Sequence, residues 1–205
     1  ELIDQLSRLF KNLADICPTI IIAGNHDCNL NNRSRMDCLS PIVDNLKHPN
    51  LHYLKDTGVY KCADVSFVVW DVWDKKKDYI KAKDVDGNTK IVLFHGTVDR
   101  CETDLGFRLP SDVKITQFRG YDMGLLGDIH KRQHLNKAET ISYCGSLVQQ
   151  NHGEGLSHGY LLWDVPTRKS EYIEILNDYG YYTLDIDNGV VPAADDMPKK
   201  ARLRV

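Results

Sequence analysis

Three apolar runs in this chain end in the same way, and that ending constrains the fold more than any other feature. Ile20, Ile21 and Ile22 lead through Gly24 into Asn25, His26 and Asp27. A second run, residues 89–94, leads into His95 and Gly96. A third, residues 121–126, leads into Gly127, Asp128 and His130. Such runs are too short for helices, and they read as strands buried on both faces of a parallel sheet. Glycine lets the chain turn sharply as it leaves the sheet. Open α/β sheets bind their ligands just past the carboxyl ends of their strands. Asn offers a carbonyl oxygen, Asp a carboxylate and His an imidazole nitrogen, and all three ligate divalent metals. The pattern predicts a layered α/β (α+β) chain in which three strand ends converge on a metal. Carboxylate with imidazole suits manganese, iron or zinc better than calcium.

The rest of the chain fits that frame. Its 205 residues, 42% hydrophobic and 27% charged, suit one core with the start of a second unit. A net charge of −3 gives no overall basic field. Cys17, Cys28, Cys38, Cys62, Cys101 and Cys144 form no C-x-x-C pair, which excludes zinc-ribbon and redox motifs and points to reduced thiols in a cytosolic or nuclear setting. No signal peptide or apolar run of membrane length is present.

Leu2, Leu6, Leu9, Leu13 and Ile16 recur at helical spacing, and Pro18 stops that helix. A wound α/β domain that opens on a helix lacks the strand that feeds it, so the chain is expected to be a fragment. A second helix is predicted over residues 34–47, with Pro41 marking a kink or the true start. A hairpin is expected across Ala63 and Asp64, and another across Pro166 and Thr167. Residues 74–83, with five lysines, read as a solvated helix face or as a phosphate-contacting patch. Lys131, Arg132 and His134 could also meet a phosphate backbone. Residues 188–200 read as a linker, and residues 201–205 as the start of a further strand.

The order Gly24-Asn25-His26-Asp27, His95-Gly96 and Gly127-Asp128-Ile129-His130 resembles the calcineurin-like metallophosphoesterase superfamily. The later block Tyr143-Cys144-Gly145-Ser146-Leu147-Val148-Gln149-Gln150, with Glu154 and Gly159 to Asp164, is similar to SbcD-type DNA-repair nuclease subunits, especially those of phages and viruses. The resemblance implies a β-sandwich flanked by helices, with its first strands missing here. Residues 1–187 would be the nuclease domain, and residues 188–205 a linker and the start of a DNA-contacting cap. It implies two divalent metals, Mn2+ first, with Mg2+, Fe2+ or Zn2+ as other choices. Asn25 and His95 would be ligands, Asp128 another, and His130 a ligand of the second metal. His26 would be the catalytic acid, steadied by Asp27. Implied partners are DNA, an SMC-like ATPase and a second copy meeting through the first two helices; none is a membrane.

Two departures from the pattern stand out. The D-x-H and G-D blocks, which supply the bridging ligand, are absent, and Asp128 replaces the usual histidine. The expected activity is exo- and endonucleolytic hydrolysis of DNA in repair and recombination. Other readings are a small-molecule phosphodiesterase or protein phosphatase, and a catalytically degenerate scaffold.

Overall fold

Each strand of this protein alternates its side chains between two sides, and that alternation assigns them to three separate cores. The computed structural model describes residues 1–205. Helix α1 (Leu2–Ile16) runs into strand β1 (Thr19–Ile21), and helix α2 (Ser40–Leu46) into β2 (Leu51–Tyr53). There follow β3 (Gly58–Cys62), β4 (Val65–Trp70), β5 (Thr89–His95), β6 (Met123–Gly127), β7 (Gln133–His134) and β8 (Ile141–Tyr143). These six form one mixed sheet in the order β3-β4-β5-β6-β8-β7. Its four central strands are parallel, and antiparallel β3 and β7 close its edges. The protein is therefore an α+β fold built on a mixed sheet.

Strand β1 pairs in parallel with β2 alone, as a small second layer. Ile20 and Ile22 turn toward the large sheet, where they meet Val69, Ile91, Leu93 and Met123. Ile21 turns the other way, toward Phe10, Ala14, Leu39 and Ile42 of the two helices. The run is thus covered on both faces, as its composition requires. On the far side of the large sheet, Val68, Trp70, Val92 and Phe94 join a third core. Loops and short 3-10 turns rather than α-helices cover that core, through Val98, Cys101, Val113 and Phe118.

Two expectations need correction. Residues 74–83 form no α-helix but two 3-10 turns, Lys76–Asp78 and Ala82–Asp84. Tyr79 between them is drawn inward and stacks on Trp70 at 4.7 Å. The Ile80 carbonyl accepts hydrogen bonds from the Trp70 indole (3.0 Å) and the Tyr121 hydroxyl (2.7 Å). Satisfying those two buried donors outweighs helix formation. The second helix begins at Ser40, six residues later than its apolar spacing suggests. Pro41 lies in its first turn, where a missing N–H costs nothing. The Asp37 carboxylate accepts from the N–H groups of Leu39 and Ser40 at the helix start.

Both hairpins form, the second from β9 (Gly159–Asp164) and β10 (Lys169–Glu174). After residues 188–199 the chain returns: β12 (Lys200–Arg204) pairs in parallel with β11 (Tyr179–Thr183). All six cysteines are free. No helix is long and apolar enough to cross a membrane.

Candidate metal centre

His95 is the last residue of β5 and lies on the same side as Ile91 and Leu93, the side that faces β1. The alternation therefore aims its ring at the loop leaving β1. That loop brings Asn25, and the Asn25 Oδ1 lies 3.2 Å from His95 Nε2. From β6, one strand further, comes Asp128, whose Oδ1 lies 3.6 Å from His95 Nε2 and 3.4 Å from Asn25 Nδ2. Thr97 donates its hydroxyl to the other Asp128 oxygen at 3.2 Å.

The imidazole is boxed in by the glycines that precede its partners. A methyl carbon at Gly24 would stand 2.9 Å from His95 Cε1, and one at Gly127 would stand 3.0 Å from Nδ1. Glycine at both places is thus a packing requirement as well as a turn device. Burial pushes the His95 imidazole below its ordinary range, against the opposing pull of Asp128 and Asp27. That direction favours the neutral ring, the form that donates a lone pair to a metal.

Asp128 has φ +94°, a region that L residues rarely occupy. Backbone strain of this kind costs about 1–3 kcal/mol and persists where the surroundings fix it. Asp128 and His130 do not point to one side of an extended segment. Asp128 turns to Asn25 and His95, whereas His130 Nδ1 turns to Glu154 Oε1 at 2.9 Å. Both still line one cavity of about 430 Å³, together with Thr97, Phe107 and Glu154.

Asn25, His95 and Asp128 are therefore brought together, and His130 stands beside them. No three His, Cys, Asp or Glu side chains are arranged to hold a metal by themselves; the trio is closed by an amide. Its fit to a cation can be judged from spacing. Ligands about 2.1 Å from a metal at tetrahedral or octahedral angles lie about 3.0–3.4 Å from one another. The Asn25 Oδ1–His95 Nε2 distance of 3.2 Å falls in that range, and the His95 Nε2–Asp128 Oδ1 distance of 3.6 Å lies 0.2 Å beyond it. A carboxylate oxygen, an amide oxygen and one imidazole nitrogen suit a divalent first-row cation such as manganese.

His26 is exposed beside this trio and lines the adjoining cleft with Asp27 and Cys38. Asp27 does not hold it. The Asp27 Oδ2 accepts the Gly24 N–H at 2.8 Å and so closes the turn that carries Asn25. The basic residues after His130 are engaged too. Lys131 pairs with Glu102 at 3.2 Å, the Arg132 guanidinium lies over the Tyr172 ring at 3.9 Å, and His134 bonds Ser142 at 2.6 Å.

Motif reading passes over Thr97, and it takes in Tyr143 and Glu154 only as members of the later block, without a role. Thr97 could have been found by alternation from His95, two residues before it. Buried Tyr143 accepts the Val98 N–H at 2.8 Å and donates to the Gly96 carbonyl at 2.6 Å, fixing the bend after His95. Nothing in its sequence position signals that.

No family model matches the chain. It is 43% identical, over 216 residues, to a protein of Acanthamoeba polyphaga mimivirus described as "Uncharacterized protein R555". The match takes in the whole of this chain but 16% of that protein's length.

Proposed function

We propose that this chain carries the active centre of a metal-dependent phosphodiesterase that cleaves DNA, a nuclease of the SbcD type. One observation carries the reading: three strand ends far apart in sequence deliver Asn25, His95 and Asp128 to within 3.2–3.6 Å of one another. Asn25 Oδ1, His95 Nε2 and an Asp128 oxygen would hold one divalent cation, and His130 would serve a second. Bound there, divalent cations neutralise charge developing on a phosphoryl group and lower the pKa of water.

The chain's own residues supply the rest. Gly24 and Gly127 hold the His95 ring in place. Thr97 orients the Asp128 carboxylate. Exposed His26 stands at the mouth, where its ring N–H can pass a proton to the departing oxygen. DNA as substrate, an SMC-like ATPase as partner, and assembly with a second copy rest on the motif resemblance. A second reading, a binding scaffold without catalysis, is favoured by the carboxylate of Asp128 where related enzymes have histidine.

Manganese titration by calorimetry tests the proposal. Micromolar affinity, about −8 kcal/mol, is expected for the chain and for the longer mimivirus relative. His95→Ala should abolish binding. Gly24→Ala should weaken it at least about tenfold, because its methyl group displaces the ring. Cleavage of a DNA oligonucleotide but not of a chromogenic phosphodiester would then separate a nuclease from a small-molecule enzyme. No uptake by either protein would leave the scaffold reading in its place.

A further inference from the structure

Glu154 lies between Gly153 and Gly155 in the polar loop after β8, outside the trio around His95. Its side chain is only 6% exposed. Every group that bonds its carboxylate can donate. The Gln150 N–H reaches Oε2 at 2.8 Å, and the Asn151 amide reaches Oε1 at 2.7 Å. The third is His130 Nδ1, 2.9 Å from Oε1. Three groups able to donate converge on this carboxylate, so its place in the network is that of an acceptor. The hydrogen between it and His130 must therefore sit on Nδ1, which leaves the Nε2 lone pair bare.

The loop is built to keep that carboxylate in place. The Gln149 amide donates to the Glu154 carbonyl at 2.9 Å. His158, itself buried, bonds Ser146 at 3.0 Å and the Gly155 carbonyl at 2.8 Å, which pins both ends of the loop. Gly145, at φ +83°, lies so close to His130 that a methyl carbon there would stand 2.8 Å from the His130 carbonyl oxygen. The beginning of the loop and its buried carboxylate thus bear on the same residue.

We propose that Glu154 is a positioning residue: it fixes His130 as the Nδ1–H tautomer and offers Nε2 as a ligand atom to a divalent cation in the cavity shared with Asp128. This deepens the metal-centre reading and rests on it for the identity of the ligand, not for the tautomer. It also gives the Gly145–Glu154 block, otherwise only a marker of resemblance, a physical task.

Nitrogen-15 multiple-bond spectra of the imidazoles, recorded on the metal-free chain near pH 8, read the tautomer directly. His130→Gln identifies the signal. The wild type should show Nδ1–H. In Glu154→Ala the bias should be lost, formate should restore it, and manganese affinity should fall about 10- to 100-fold. An Nε2–H ring, a doubly protonated ring, or a bias unchanged in Glu154→Ala would overturn the proposal. Should that variant not fold, the wild-type spectrum decides alone. An Nδ1–H ring with no manganese uptake would remove the metal reading but keep the positioning. Uptake with an Nε2–H ring would do the reverse.

Discussion

The two halves of the candidate centre are held by different forces. His95 ends β5 and Asp128 directly follows β6, in a sheet with cores on both faces. Asn25 and His26 stand on the loop after β1, a strand of three residues with one hydrogen-bonded neighbour. Charged and polar contacts, not apolar packing, fix that second half. Arg33 reaches Asp56, Asp71 and Asp74, each at 2.9 Å. Asp37, buried beneath the same segment, pairs with Lys55 at 2.7 Å. Asp27 closes the Gly24 turn. A packed half sets where a ligand can bind, and a polar half can let go of it without unfolding the rest.

Removing a central side chain of the packed half should have the largest effect. Trp70 is 1% exposed and packs against Tyr79, Phe94, Phe118 and Tyr121. Trp70→Ala should cost about 4 kcal/mol and lower the melting temperature by about 10 °C in calorimetry. Both halves should melt together in that variant; separate transitions would break the comparison.

Next comes the polar half. Burial alone would raise the Asp37 carboxyl, but Lys55 and the Ser40 N–H and hydroxyl outweigh it and bring it down to about 2. A carboxyl depressed on folding adds stability above its unfolded value near 4, and that stability is lost as pH falls through about 2. Asp37→Asn should therefore cost about 2 kcal/mol at pH 7 and little at pH 2. Hydrogen exchange should quicken in residues 24–40 and stay unchanged in β4–β6. Uniform quickening would show that the halves are one cooperative unit.

The smallest change has the opposite sign. Asp128→Gly relieves a positive φ and should raise stability by about 1 kcal/mol in urea unfolding while removing manganese binding. A destabilised variant would mean that the Asp128 contacts to Asn25 and Thr97 outweigh the strain.

The strands and their order of function were legible because burial on both faces leaves an unbroken apolar run. The three strand-end clusters were legible because glycine marks the places where backbone closes on the His95 ring, at Gly24 before Asn25 and at Gly127 before Asp128. The helix over residues 34–47 was over-read because its apolar spacing continues where Arg33 is drawn off to three carboxylates. The lysine-rich segment was misjudged for a related reason. Its composition says solvent, but Tyr79 and Ile80 within it answer to the buried Trp70. The parting of Asp128 from His130 could not be seen, since it depends on one backbone angle and on Glu154, 24 residues further on. Tertiary partners of this kind leave no local pattern.

The wide sequence separation within the trio bears on how the protein comes into being. Asn25 is 70 residues from His95 and 103 from Asp128. Parallel strands close such distances late, since each pairing must first overcome the entropy of a long loop. A cation therefore meets no preformed nest on the growing chain and cannot nucleate the fold as it does in a zinc finger. On the reading proposed above, a cation would arrive at a finished sheet and stabilise the folded state by binding to it alone. Metal supply would thus govern how long a mature molecule survives, not whether it forms.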